Sequence, residues 1–156
     1  MYEELEGVVS VQSGYSGGHV ENPTYREVVS GNTGHIEAVE ILYDSDIVNL
    51  DTLVRSFFLN IDPFDSNGQF CDKGYSYKSA IFTNDQEFID IVNFYISRIE
   101  INHDQNVETL ILPFKNFYLA EDYHQDYYKK NPIKYTYYKY GCGREKRIKQ
   151  LKINLG

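Results

Sequence analysis

The chain has 156 residues, 42% of them apolar and 24% charged, which is the range of a soluble globular chain of about one domain with length enough to bury a core. Its formal net charge is −8, no apolar run reaches membrane-spanning length, and the acidic start Met1-Tyr2-Glu3-Glu4-Leu5-Glu6 does not suit a signal peptide, so a cytoplasmic location is the default expectation. Cys71 and Cys142 are the only cysteines and fit a reducing compartment better than a disulfide framework.

Residues 2–5 read as the last turn of a helix, stopped by Gly7. Val8, Val9 and Val11 predict a strand that runs into a glycine turn at Gly17-Gly18. Asn22-Pro23-Thr24 is a turn and helix-start signal that can aim the Tyr25 ring. Ile36, Ala38, Glu40 and Leu42 alternate with Glu37, Val39, Ile41 and Tyr43, predicting a strand buried on most of both faces. Asn49 can cap a helix in which Leu50, Leu53, Val54, Phe57, Phe58 and Ile61 fall at helical spacing and which Pro63 closes. A short strand at Ser79–Phe82 precedes a second helix, started at Asn84 with Glu87 completing a capping box, and Phe88, Ile91, Val92, Tyr95, Ile96 and Ile99 give it an apolar stripe. Another short strand is expected at Glu108–Leu112, and beyond Pro132 the periodicity fades into an irregular tail. This order predicts an α+β fold, a two-layer sandwich with a mixed sheet packed by helices, in one domain over residues 1–156.

Charge divides unevenly along the chain. Residues 129–156 carry a local charge of +8 and the preceding 128 residues −16. A basic arm of this kind can serve a nucleic acid, but folding back over its own acidic domain needs no partner and is the preferred reading.

Glu37 is the first candidate for chemistry. A carboxyl group in an apolar strand is paired, hydrogen-bonded or raised in pKa by lost hydration, and a raised pKa makes it a proton donor near neutrality. On residue type alone an outward-facing glutamate on an edge strand is the commoner case, and Tyr25 and Tyr77 are more often packing residues. Cys142 lies in Gly141-Cys142-Gly143-Arg144, where flanking glycines give mobility and Arg144, Lys146 and Arg147 favour a thiolate, so it can resolve a sulfenic acid formed elsewhere. Cys71 reads as a buried bystander thiol next to Asp72. His124 reads as structural, His103 as a surface loop residue, and His19 and His35 have no redox role. No histidine or cysteine spacing supports a metal site.

Three blocks carry a family resemblance. Gly14-Tyr15-Ser16-Gly17-Gly18-His19-Val20-Glu21-Asn22-Pro23-Thr24-Tyr25 with Gly34-His35-Ile36-Glu37-Ala38-Val39-Glu40 is the strongest. Cys71-Asp72-Lys73-Gly74-Tyr75-Ser76-Tyr77-Lys78-Ser79 is looser, and Phe117-Tyr118-Leu119-Ala120-Glu121-Asp122-Tyr123-His124-Gln125 follows in the same order. Together they resemble the peptide methionine sulfoxide reductase A family over nearly all of residues 7–151. The resemblance implies a ferredoxin-like fold, Glu37 as the buried acid, Tyr25 and Tyr77 as hydrogen-bond donors to the sulfoxide oxygen, Asp72 ordering the site, and the S epimer of methionine sulfoxide as substrate. It also implies no bound cofactor, a C-terminal resolving cysteine at Cys142, and thioredoxin as reductant.

Family members carry their nucleophilic cysteine in a Gly-Cys-Phe-Trp segment directly upstream of the first block, and these 156 residues do not include it. The expectation is a truncated, monomeric repair-enzyme domain that lacks the family's first strand and most of its first helix and does not turn over by itself. Two rivals stay open: a binding module that recognises a sulfoxide or peptide without turnover, and a fragment that complements a separate N-terminal peptide. A sequence ending the reading frame upstream, or one supplying Gly-Cys-Phe-Trp in frame, separates degeneration from a start-site error.

Overall fold

The computed structural model describes residues 1–156. Tyr2–Glu4 form a 3-10 turn, shorter than the helical turn expected there. Strand β1, Val8–Ser16, is the centre of a three-stranded sheet. It pairs antiparallel with β2, Ile36–Tyr43, in a register that sets Tyr15 opposite Glu37, and with β7, Phe117–Leu119, so that Tyr15 also faces Tyr118. Between β1 and β2 lies α1, Tyr25–Val29, opened by a capping box in which Thr24 accepts from the Glu27 amide while the Glu27 carboxylate accepts from the Thr24 amide.

Helix α2, Leu50–Leu59, begins at the expected cap, with Asn49 accepting from the Thr52 amide. The hairpin of β3, Gly68–Gln69, and β4, Asp72–Lys73, follows. Its two-residue tip is Phe70-Cys71, and Phe70 takes φ 54°, a left-handed conformation uncommon for an aromatic residue. β5, Ala80–Phe82, and β6, Leu110–Leu112, pair in parallel across the long helix α3, Gln86–His103. A parallel pair needs a crossover of this length.

The α+β class expected from the sequence holds, with helices packed on strands in three hydrogen-bonded groups. The main core joins α2, β5 and α3 through Val54, Phe58, Ile81, Val92, Tyr95 and Ile99, and Leu155 of the tail closes it. A second cluster packs Tyr2, Val48 and Leu53, and a third gathers Tyr15, Val28 and Ala120 with Tyr25 against them.

Four local expectations need correction. The tail beyond Pro132 is not irregular: after α4, Tyr127–Lys130, come α5, Pro132–Cys142, and α6, Arg144–Leu151. Pro132 opens α5 at its first position, where a missing N–H costs nothing, and Gly143 at φ 64° turns the chain into α6. The apolar periodicity was absent because no side chain of α5 is fully buried. The cap of α3 is Asp85, which accepts from the Phe88 amide, while Asn84 instead bridges to the backbone of Phe114. β2 is not buried on both faces, since it forms the sheet edge and leaves Leu42 59% and Val39 47% exposed. His103 ends α3 against the Phe64 ring and is not a loop residue.

Candidate functional site

The site is assembled from four segments. The turn after β1 is held by His35, whose Nδ1 accepts from the Gly18 amide at 3.0 Å while Nε2 donates to the Val20 carbonyl at 2.7 Å. This fixes a neutral imidazole in one tautomer. A side chain on Gly18 would collide with the Thr33 carbonyl and the His35 backbone, which is why glycine stands there. The turn delivers the chain to Thr24 and the capped start of α1, and so fixes Tyr25.

The Tyr25 and Tyr77 hydroxyls meet at 3.4 Å although 52 residues separate them. Tyr77 sits at the end of a 3-10 turn, Tyr75–Tyr77, directly before β5. Burial, the hydrogen bond with Tyr25 and the nearby Glu37 all hold its hydroxyl in the protonated form. Glu37 lies on the same sheet face as Tyr15, its register partner. Solvent reaches one side of the Glu37 residue, while protein crowds the carboxyl from the others. That loss of hydration, with the Asp72 carboxylate second, raises its pKa to about 7.

The structure therefore brings Glu37, Tyr25, Tyr77 and Asp72 into one neighbourhood. Glu37 is both exposed on an edge strand and raised in pKa, so the two readings of this residue each describe part of it. Asp72 is covered from a direction the sequence did not suggest: Tyr138 of α5 donates to its Oδ2. Burial, that hydrogen bond and the charges of Asp72 and Glu37 keep the Tyr138 hydroxyl protonated.

Glu121 supports the cluster from behind. Its carboxylate accepts from the Tyr15 hydroxyl at 3.1 Å, the Tyr25 amide at 3.2 Å and the Tyr123 hydroxyl at 2.8 Å. The His124 ring lies tilted against those of Tyr25 and Tyr123, with centroids 4.3 Å and 4.1 Å away, and its buried Nε2 has no hydrogen-bond partner. Burial pushes the His124 pKa down. A shallow groove beside Glu121, lined by Asn22, Pro23, Thr24, Phe117 and Tyr118, does not reach Glu37, Asp72 or Tyr77.

The cysteines differ most from expectation. Cys71 is exposed at the hairpin tip and is joined to Cys142 in a disulfide with Cα atoms 5.0 Å apart. The reading of Cys71 as a buried bystander is therefore replaced, and neither residue is a free thiol in this form. The separation of 71 residues gave no sequence signal for the pairing, because the fold of the tail brings the two together. The basic tail does return to its acidic domain: Arg147 pairs with buried Asp62 at 2.6 Å, Arg144 donates to the Asn60 carbonyl at 2.9 Å, and Lys129 pairs with Glu3 at 3.2 Å.

Sequence reasoning missed Tyr138 and underrated Glu121. Glu121 stood inside a recognised block, and a carboxylate beside three tyrosine-rich positions was the available sign. Tyr138 had none, since only a helical tail sets it on the same face as Cys142. No group of three or more histidine, cysteine or acidic side chains is placed to hold a metal ion. No helix is long and apolar enough to cross a membrane.

The α+β fold thus gathers two tyrosine hydroxyls and a carboxyl raised in pKa to about 7 around one surface. Residues 1–154 match the peptide methionine sulfoxide reductase family, and the chain belongs to that family. It is 46% identical over 148 residues to peptide methionine sulfoxide reductase MsrA 2 of Staphylococcus aureus, covering 92% of this chain and 82% of that protein. It is 43% identical over 151 residues to peptide methionine sulfoxide reductase MsrA/MsrB of Vibrio cholerae, covering 96% of this chain but only 40% of the length of that relative. Among solved structures, methionine sulfoxide reductase A of Corynebacterium diphtheriae superposes with a TM-score of 0.77 at 37% identity over 85% of this chain and 68% of that one. Mxr1 of Saccharomyces cerevisiae in its reduced form gives 0.72 at 31% identity, over 84% of this chain and 76% of that one.

Proposed function

We propose that these residues form the sulfoxide-recognising and proton-donating part of a peptide methionine sulfoxide reductase, acting on the S epimer of methionine sulfoxide in proteins and as the free amino acid. The meeting of the Tyr25 and Tyr77 hydroxyls beside a carboxyl raised to about 7 carries the proposal. The two hydroxyls donate to the sulfoxide oxygen, and Asp72, held by Tyr138, orders the Glu37 side of the site. Glu37 gives its proton to that oxygen as a thiolate attacks the sulfur, so that methionine leaves and a sulfenic acid remains on the thiol. A second thiol then condenses with the sulfenic acid, and thioredoxin reduces the resulting disulfide by exchange. No bound cofactor is needed, and a monomer in the cytoplasm suits the chemistry.

Cys71 and Cys142 are bonded to each other, so the attacking thiol is one that the disulfide form of these 156 residues does not supply. Cys142 resolves the sulfenic acid only when it is free of Cys71. The same pairing favours a second reading, binding of a sulfoxide or an oxidised peptide without turnover.

The test is a dithiothreitol-supported assay with methionine sulfoxide. The 156-residue chain should be inactive, and a version with the family's Gly-Cys-Phe-Trp segment ahead of Met1 should turn over. Glu37→Gln in that version should lose roughly 10²–10⁴-fold in rate. Cys142→Ser should spare the dithiothreitol assay and impair the thioredoxin-supported one; equal thioredoxin rates would remove its resolving role. Turnover by the 156-residue chain that Cys71→Ser abolishes and Cys142→Ser does not would instead make Cys71 the nucleophile.

A further inference from the structure

Helix α5 is held in an unusual way. It is an eleven-residue helix with no fully buried side chain, and Ile133, Tyr137 and Tyr140 are each more than 70% exposed. An isolated helix of this length is marginal in water, and a packed apolar face normally supplies the missing stability. Here that face is absent. What holds α5 to the site is its C-terminal turn, where Tyr138 and Cys142 stand four residues apart on one side of the helix. These two grip two adjacent residues of the β3–β4 hairpin: Cys142 is bonded to Cys71, and Tyr138 donates to Asp72. Arg144 adds a cationic contact over the Phe70 ring at 5.2 Å, at the same hairpin tip.

We propose that the Cys71–Cys142 pair is a redox latch: the disulfide seats α5, and with it Tyr138, against Asp72, and reduction to the dithiol releases the helix and uncovers that side of the site. Cys71 is exposed, so a dithiol reductant reaches it directly, and exposed disulfides are the labile, regulatory class. A reductant thiolate attacks the Cys71 sulfur, forming a mixed disulfide as the Cys142 thiolate leaves beside Arg144. The second thiol of the reductant then closes its own disulfide and releases Cys71. Two electrons and two protons pass from the reductant dithiol to the pair, and an external disulfide reverses the step. In a reducing compartment such a bond is transient and reports redox conditions. The closed latch also withdraws Cys142 from any resolving role. Only the sulfoxide-binding consequence rests on the function proposed above; the movement of α5 does not.

The whole chain is equilibrated in oxidised or in reduced dithiothreitol, with alkylation and intact mass counting free thiols, and backbone hydrogen exchange is then followed by mass spectrometry. Amides of residues 132–142 should exchange at least tenfold faster in the dithiol form, with residues 86–103 unchanged. Cys71→Ser should exchange at the dithiol rate in both buffers. Tyr138→Phe should match the parent chain when oxidised, where the disulfide holds the helix, and match it again when reduced, where the released helix no longer seats the hydroxyl on Asp72; slower exchange of the reduced parent than of the reduced variant overturns the release of Tyr138. Methionine sulfoxide should bind the two forms of the parent chain with affinities at least threefold apart. Equal exchange of residues 132–142 in the two redox forms overturns the latch, as does persistence of two free thiols in the oxidising buffer. A full exchange difference with no sulfoxide binding in either form supports the latch and counts against the proposed function alone.

Discussion

Glu37 offers the most direct quantitative test of the site. With a pKa of about 7, the fraction carrying the proton falls from nine-tenths at pH 6 to one-hundredth at pH 9, so any step that needs the acid should weaken by about 90-fold across that range. The stability consequence has a definite sign. Its pKa is raised in the folded chain, so the native state holds the proton between the ordinary carboxyl value of 4.5 and about 7, and stability falls as pH rises through that window. A fully enclosed carboxyl with this shift would cost about 3 kcal/mol above pH 7, but water reaches Glu37 on one side and screens its charge, and we expect about 1 kcal/mol. Glu37→Gln should match the parent chain below pH 4.5 and exceed its stability by about that amount above pH 7. Carbon-13 NMR of the side-chain carboxyl, alongside urea unfolding of both proteins at a series of pH values, reads both quantities. A carboxyl midpoint in the ordinary range, with parallel stability curves for the two proteins, would refute the reasoning and remove Glu37 as a neutral-pH acid.

Three further outcomes are expected. Tyr77→Phe removes one hydroxyl from the 3.4 Å pair and should weaken methionine sulfoxide binding by about 1 kcal/mol, or roughly fivefold, while leaving methionine binding unchanged in calorimetry; equal losses for both ligands would assign Tyr77 to packing. Phe58 is fully buried where α2, β5 and α3 meet, so Phe58→Ala should cost about 3–5 kcal/mol in denaturant unfolding, and a cost under 1 kcal/mol would misplace the core. Cys71→Ser opens a loop spanning a separation of 71 residues and should cost on the order of 4 kcal/mol relative to the oxidised chain, a difference that must vanish when both proteins are compared under full reduction.

Much of this protein was determined by short-range chemistry that a sequence displays. The Asn49 cap, the helical stripes of α2 and α3, and the capping signal before Tyr25 are local: each depends on residues within a few positions, and each appears in the fold. Two of the three family blocks marked Glu37, Tyr25, Asp72 and Tyr77 as belonging together. The tertiary structure decided what depends on contacts between distant segments. It made β2 an exposed edge, because strand order, not strand composition, sets which face is covered. It gave Glu37 its raised pKa, since hydration and the Asp72 charge act through space. It folded the tail into helices tied to residues 60–72 by a disulfide, a tyrosine hydroxyl, one ion pair and one hydrogen bond to a backbone carbonyl. None of these leaves an apolar period to read. Tyr138 and the Cys71–Cys142 bond escaped the sequence for one physical reason: a helix held by polar and covalent contacts at its end carries no hydrophobic pattern, so only its folded position shows what it touches.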